Sequence, residues 1–216
     1  MKKSLKVLNL PPAELWATFF TKGEYGGKLY HGCKPNSALA RLKYGFTPYL
    51  HDLAYIPGFC TSQAPRILGI CSQVGHDSGF TFDCANAPVT IGIGTQVFDD
   101  LIMDIMGDCM QARCSPTGCP AGHALGAALK ACIPAEIDGI TMPSWKSDQP
   151  ECCESELIIT QNGCTKLTSL ISTVHTKAGV LSYEKAYALA VSAHVVGPFS
   201  QWEEFSPKSF RHKLAA

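Results

Sequence analysis

The sequence predicts an α+β protein with a mostly antiparallel sheet, and a parallel α/β fold is the alternative. Short runs rich in β-branched and aromatic residues fall in two groups, at about residues 66–94 and 136–161. Helical patterns of apolar residues occur before, between and after these groups. This order of elements is typical of the α+β class.

Length and composition indicate one domain. The chain has 216 residues, of which 46% are hydrophobic, and this is enough for a sizeable core. We expect residues 1–212 to form a single globular domain, because no long linker or internal repeat divides them. Residues 213–216 resemble an expression-vector junction and are left out of the predicted fold.

Charge and hydropathy narrow the classes of partner. The 18 basic residues balance the 18 acidic ones, so neither nucleic acid nor an anionic membrane surface is a predicted partner. The apolar run that begins at Leu5 meets Pro11 and Pro12 too early for a secretory leader, and no apolar run approaches the roughly 18 residues of a membrane span. We therefore expect a cytoplasmic protein whose partner is a small-molecule substrate or a redox protein, and a homo-oligomer is an open alternative.

The first third of the chain contains two predicted helices and one predicted strand. Proline at a helix start and apolar residues at helical spacing predict a short helix over residues 11–20. A glycine-rich break that begins at Gly23 follows, and residues 28–33 form a short predicted strand. A second helix is predicted over residues 37–44 and ends at Gly45.

The middle of the chain is predicted to be sheet followed by a helix. Residues 66–74, 79–84 and 88–94 are rich in strand-forming residues and are separated by turn residues. We expect the first two runs to pair as a hairpin. Thr95 then caps a helix with a continuous apolar stripe, which Gly107 ends.

The last third is predicted to contain three helices and two strands. The helices are predicted over residues 120–132, 167–174 and 183–195, and the strands over residues 136–142 and 156–161. An Asn-Gly pair at 162–163 predicts a turn after the second strand.

Cysteines are concentrated between Cys109 and Cys132, where four of the 11 lie together with one histidine. Cys109, Cys114 and Cys119 are separated by two equal steps of five residues. Because Pro120 suits the first position of the predicted helix, Cys119 would be its N-cap. Unpaired N–H groups and the helix dipole favour a thiolate at that position. In a reducing compartment, such clusters indicate metal binding, catalysis or burial more often than disulfides.

Three functions are compatible with this stretch. The first is a metalloprotein that holds an iron–sulfur cluster or zinc through Cys109, Cys114 and Cys119, with His123, Cys152 or Cys153 as a further ligand. Three thiolates would leave one iron open for a lyase-type reaction, whereas four ligands favour a structural or electron-transfer role. The second is a metal-free thiol redox enzyme, in which Cys119 is the nucleophile and His123 the base. The third is a non-enzymatic assembly or shell protein with buried cysteines.

The segment SPTGCPAGHALGAALKAC, residues 115–132, resembles the helix that carries the peroxidatic cysteine of the OsmC and Ohr peroxidases. The resemblance implies that Cys132 would be the peroxidatic residue of a thiol redox enzyme. It covers a short part of the chain and departs from the family where a second cysteine is expected, because the later helix has His194 instead.

Two further cysteine features could contribute ligands. His31 and Cys33 would lie on the same face of a strand, although a histidine beside a buried cysteine is the alternative interpretation. The adjacent Cys152 and Cys153 lie in a polar stretch, where an irregular loop would allow one of them to join the main cluster. Burial of one or both is the alternative.

Overall fold

The computed structural model describes residues 3–48, 58–112, 120–141 and 156–195. Within these residues, a short 3-10 helix (Lys3–Asn9) precedes a set of strands and α-helices. The strands are β1 (Phe20–Tyr25), β2 (Lys28–Cys33), β3 (Phe59–Ser62), β4 (Ser78–Asp83), β5 (Val89–Gly94), β6 (Gly139–Thr141), β7 (Glu156–Ile159), β8 (Ile171–Thr176) and β9 (Gly179–Leu181). The helices are α1 (Pro12–Phe19), α2 (Pro35–Tyr44), α3 (Ile67–Gln73), α4 (Gln96–Ala112), α5 (Pro120–Cys132), α6 (Gln161–Leu170) and α7 (Tyr183–Ser192).

The described strands form one sheet in the order β1-β5-β6-β7-β3-β2-β4-β8-β9. β5 and β6 are parallel, and every other neighbouring pair in this sheet is antiparallel. The parallel pair is possible because α4 and α5 supply the long connection that parallel neighbours need. The predicted α+β class with a mostly antiparallel sheet is therefore confirmed.

The sheet separates two hydrophobic cores. Side chains alternate along the central strands, so that Phe59 and Ile159 face one core whereas Cys60 and Ile158 face the other. The first core lies beneath α1, α4 and α5, and the second lies beneath α2, α6 and α7. Helices thus cover both faces of the central strands.

Several predicted elements are confirmed within a few residues, namely α1, α2, α5, α7 and the strands β2, β4 and β5. α2 ends as predicted at Gly45, whose φ of 86° lies in the left-handed region that favours glycine. The Gly45 N–H donates to the Arg41 carbonyl at 2.9 Å, which satisfies one of the last helical carbonyl groups.

The strand predicted over residues 66–74 is wrong, because this segment forms α3. α3 packs on the face of β2 that is opposite the second core, at Gly32. A Cβ atom at Gly32 would meet the side chain of Cys71, so the missing side chain makes room for the helix. The predicted hairpin is wrong as well, because β4 pairs with β2 and β8.

Other boundaries differ where packing outweighs local preference. The break predicted at Gly23 is not observed, because Gly23 lies within the strand β1. The side chain of Ile93 on β5 packs over it. α4 continues through Gly107 to Ala112, although a glycine inside a helix costs about 1 kcal/mol relative to alanine. The predicted helix over 167–174 ends at Leu170, where the strand β8 begins.

The Asn-Gly pair at 162–163 lies in the first turn of α6 rather than in a tight turn. Thr160 is the N-cap, and its hydroxyl accepts a hydrogen bond from the Gly163 N–H at 3.3 Å. Gly163 also packs against the Asp138 carbonyl so closely that a Cβ atom has no room. The contact between Gly163 and Asp138, the residue before β6, therefore determines where α6 begins.

Candidate functional site

The ligands predicted in the cysteine stretch fall at the junction of two helices. Cys109 lies in the last turn of α4, and Pro120 begins α5 as predicted. Cys114, Cys119 and Cys152 lie outside the described residues. The structure thus describes the backbone of the two helical ends that flank Cys114 and Cys119.

Both of these helices are fixed on the first core, and α1 packs against each of them. The ring of Phe98 on α4 lies 5.3 Å from the ring of Phe19 and 4.7 Å from that of Phe20. The other side chains that α4 and α5 bury in this core are Leu101, Ile102, Ile105, Leu125, Leu129 and Cys132. The described parts of α4 and α5 therefore belong to one packed unit with α1.

His123 is an exposed residue in the first turn of α5. Its position four residues after Cys119 follows from the helix start at Pro120, which the sequence predicted. Because the side chain is exposed, the imidazole is open to a metal, a substrate or a neighbouring thiol. Both predicted roles of His123, as ligand and as base, stay predictions.

The cysteine side chains that the structure describes form no disulfide with one another, and Cys33, Cys84, Cys132 and Cys164 are buried. Burial raises the pKa of Cys33, Cys84 and Cys132 to about 11 and that of Cys164 to about 12. Burial also raises the pKa of Cys71. These thiols are protonated at neutral pH and pack as small hydrophobic residues.

Cys132, the residue that the peroxidase resemblance singles out, is among these buried thiols. It lies at the C-terminal end of α5, and only 5% of its surface is exposed. Burial raises its pKa to about 11, whereas a peroxidatic cysteine needs a lowered pKa to be a thiolate. The negative end of the helix dipole opposes a thiolate at this position as well.

His31 and Cys33 lie on the same face of β2, as predicted, and both are buried in the sheet's second-core face. The His31 Nδ1 atom is 2.8 Å from the Cys60 carbonyl oxygen, and the imidazole lies 4.2 Å from the ring of Phe59. The pKa of Cys33 is raised by burial, although a hydrogen bond from the Arg41 guanidinium acts in the opposite direction. Within the described chain, no three His, Cys, Asp or Glu side chains converge as metal ligands.

No family model, curated protein or solved structure matches the chain. In the part of the chain that the structure describes, no helix is both long and apolar enough to cross a bilayer.

The ion pair between the buried Asp138 and the half-exposed Lys166 was not predicted from the sequence. Asp138 precedes β6, is 1% exposed, and accepts a hydrogen bond from the Thr90 N–H at 3.0 Å. Lys166 on α6 binds the same carboxylate. No local pattern signals this pair, because the two residues are 28 positions apart and belong to different elements.

Proposed function

We propose that this chain is a metal-binding protein whose centre is an iron–sulfur cluster or zinc, held by Cys109, Cys114 and Cys119 at the junction of α4 and α5. Cys152 is the further ligand in this proposal. Thiolates are the ligands that zinc and iron–sulfur clusters share, so this set of donors fits either group.

The observation that carries the proposal is the regular spacing of Cys109, Cys114 and Cys119 across the connection between two helices that pack on the first core. The described thiols of Cys33, Cys84, Cys132 and Cys164 are buried, and packing accounts for them. The equal spacing and the helix start at Pro120 favour ligands in the stretch from Cys109 to Cys119.

The path of the chain supports a meeting of the two cysteine segments. β6 ends at Thr141, which pairs with Leu157 near the start of β7, so the two described ends of this connection lie side by side at the carboxyl end of β6. α5 ends near the beginning of β6, where the Asp138 N–H donates to the carbonyl of Thr90 in β5. A helix of 13 residues is about 20 Å long, and from this length and the parallel crossover we infer that α5 starts towards the carboxyl ends of β5 and β6.

Ligand sites in such crossovers lie at the carboxyl ends of the parallel strands. Cys119 precedes the start of α5, and its thiolate gains from the positive end of the helix dipole. Cys109 comes from the last turn of α4 and His123 from the first turn of α5. When bound, an iron–sulfur cluster would supply electron transfer or, with one iron open, Lewis-acid chemistry of the lyase type.

We infer a reducing, cytoplasmic setting for this centre, and the lack of disulfides among the described cysteine side chains supports this inference. Its partner would be a small-molecule substrate or a redox protein. His123 is exposed beside the proposed centre and could accept or donate a proton there.

The decisive experiment is metal and sulfide analysis of protein that was purified without oxygen. We expect a stoichiometric metal in the wild type, its loss in Cys114→Ser, and a fall in stability in that variant, because metal binding is coupled to folding. Cys84→Ser is the matched control, since Cys84 is fully buried and should lower stability while metal content is unchanged. Wild-type protein without stoichiometric metal would refute the proposal.

A metal-free thiol enzyme is the second candidate, and the start of α5 favours it through Cys119 rather than Cys132. In that case, Cys119→Ser would remove one fast-reacting thiol and His123→Gln would slow its alkylation near neutral pH. An assembly or shell protein would show neither metal nor a fast-reacting thiol.

A further inference from the structure

A groove of about 680 Å³ lies between the end of α5 and the beginning of α6. Its wall on the α5 side contains Lys130 and Ile133, and Pro134 and Ala135 continue this surface towards β6. The buried Ile137 lies at its base, and Thr47 and Pro48 line it from the segment after α2. Gln161 and Asn162 at the start of α6 form the opposite side. The volume is within the roughly 300–1,000 Å³ of typical small-molecule sites.

The floor of this groove is held by hydrogen bonds that join three elements. The Thr160 hydroxyl donates to the Ile137 carbonyl at 2.7 Å and accepts from the Gly163 N–H at 3.3 Å. The Thr160 N–H donates to the Asp138 carbonyl at 2.8 Å. These hydrogen bonds fix the floor of the groove, which reduces the entropy cost of binding there.

The charge of the groove indicates the kind of ligand. Lys130 is exposed there, and none of the described residues that line the groove is acidic. The neighbouring Glu136 is directed to Lys22, at 3.8 Å. An ammonium group beside a largely apolar surface suits an anionic head on an apolar chain.

We propose that this groove binds a small amphipathic monocarboxylate, with its carboxylate paired to Lys130 and its chain along Ile133, Pro134 and Ala135. A single ammonium group matches a single carboxylate. Lys130 is ten positions after Pro120, which is about 15 Å along the helix. The site is thus separate from the cysteine junction and does not rest on the proposed metal centre.

The first test compares octanoate with 1-octanol on the full chain by calorimetry. We expect octanoate to bind about fivefold more tightly than 1-octanol, which is the range of a partly exposed ion pair. Lys130→Gln should remove this preference, and Lys130→Arg should keep it. Lys185→Gln, on the exposed side of α7, is the control and should leave the preference unchanged. Equal affinity of the wild type and Lys130→Gln for octanoate would overturn the proposal.

The second test fills the groove. Ala135 lines it, so Ala135→Trp should abolish the binding of both octanoate and 1-octanol. Ala178→Trp, in the exposed turn between β8 and β9, should bind both compounds as the wild type does. In a titration of the wild type followed by NMR, octanoate should shift the backbone amide signals of Gln161 and Asn162. Shifts confined to other regions, or no binding at millimolar octanoate, would also overturn the proposal.

Discussion

The Lys166 ammonium lies 2.7 Å from each carboxylate oxygen of Asp138 and links α6 to the residue that precedes β6. The Asp138 side chain is 1% exposed, whereas that of Lys166 is 54% exposed. The backbone of Asp138 pairs with Thr90 and Thr160, so this one residue connects β5, β6 and the end of β7. The carboxylate is thus held where sheet and helix meet.

Removal of this lysine should destabilise the protein. Lys166→Met leaves the Asp138 carboxylate buried with the Thr90 N–H as its described partner, and we expect a loss of about 1–3 kcal/mol in the free energy of unfolding. Lys22→Met is the matched control, because Lys22 and Glu136 are 3.8 Å apart and both are 60% exposed. It should cost less than about 1 kcal/mol. Urea denaturation of both variants measures the difference, and equal losses would contradict the assigned role of Asp138.

His175 should make stability depend on pH. Its Nε2 atom is 2.7 Å from the Thr81 hydroxyl, and burial lowers its pKa below 6.5. Because the unfolded chain then binds the proton more readily, the contribution of neutral His175 is complete above about pH 6.5 and is lost as the pH falls through the lowered pKa. We expect His175→Gln to lose less stability than the wild type between pH 7 and 5.

The control for this pH effect is His194→Gln, since His194 is exposed. This variant should show the wild-type dependence of unfolding free energy on pH. If the His175 and His194 variants followed the same curve, the partly buried imidazole of His175 would not be the group responsible.

Phe98 should be among the costliest residues to truncate. Its side chain is fully buried and lies within 5.3 Å of both Phe19 and Phe20, measured between ring centroids. Phe98→Ala should lower the free energy of unfolding by roughly 3–5 kcal/mol, because it leaves a cavity in the first core. A loss of less than about 1 kcal/mol in a denaturant titration would contradict the burial of this ring.

Replacement by alanine should change the free energy of unfolding in opposite directions at two glycines, Gly32 in β2 and Gly69 in α3. A Cβ atom at Gly32 would meet the Cys71 side chain, so Gly32→Ala should destabilise the protein by about 1–3 kcal/mol. Gly69 lies in α3, where an added Cβ atom would have no neighbour within 4 Å, and Gly69→Ala should stabilise by about 0.5–1 kcal/mol. Thermal unfolding of both variants tests the pair, and a stabilised Gly32→Ala would exclude the close approach of α3 to β2.

The candidate site was predictable in its local features only. Pro120 at the start of α5 and the position of Cys119 before it follow from residues next to each other in the sequence. A glycine after an apolar stripe is ordinarily a helix-ending signal, so the sequence predicted that the helix would end at Gly107. It did not predict that α4 extends to Ala112 and contains Cys109 in its last turn. The groove at Lys130 has no sequence signal, because its sides come from separate elements.

The sequence by itself determined the α+β class and the positions of α1, α2, α5 and the strands β2, β4 and β5, since turn residues and periodicity act over a few neighbouring residues. Only the tertiary structure decided that residues 67–73 form a helix, because an apolar run satisfies either conformation until the surface that it meets is known. Here that surface contains Gly32, which leaves room for α3. The same reason holds for Asp138, whose carboxylate is stable in the core only because folding brings Lys166 and the Thr90 N–H to it.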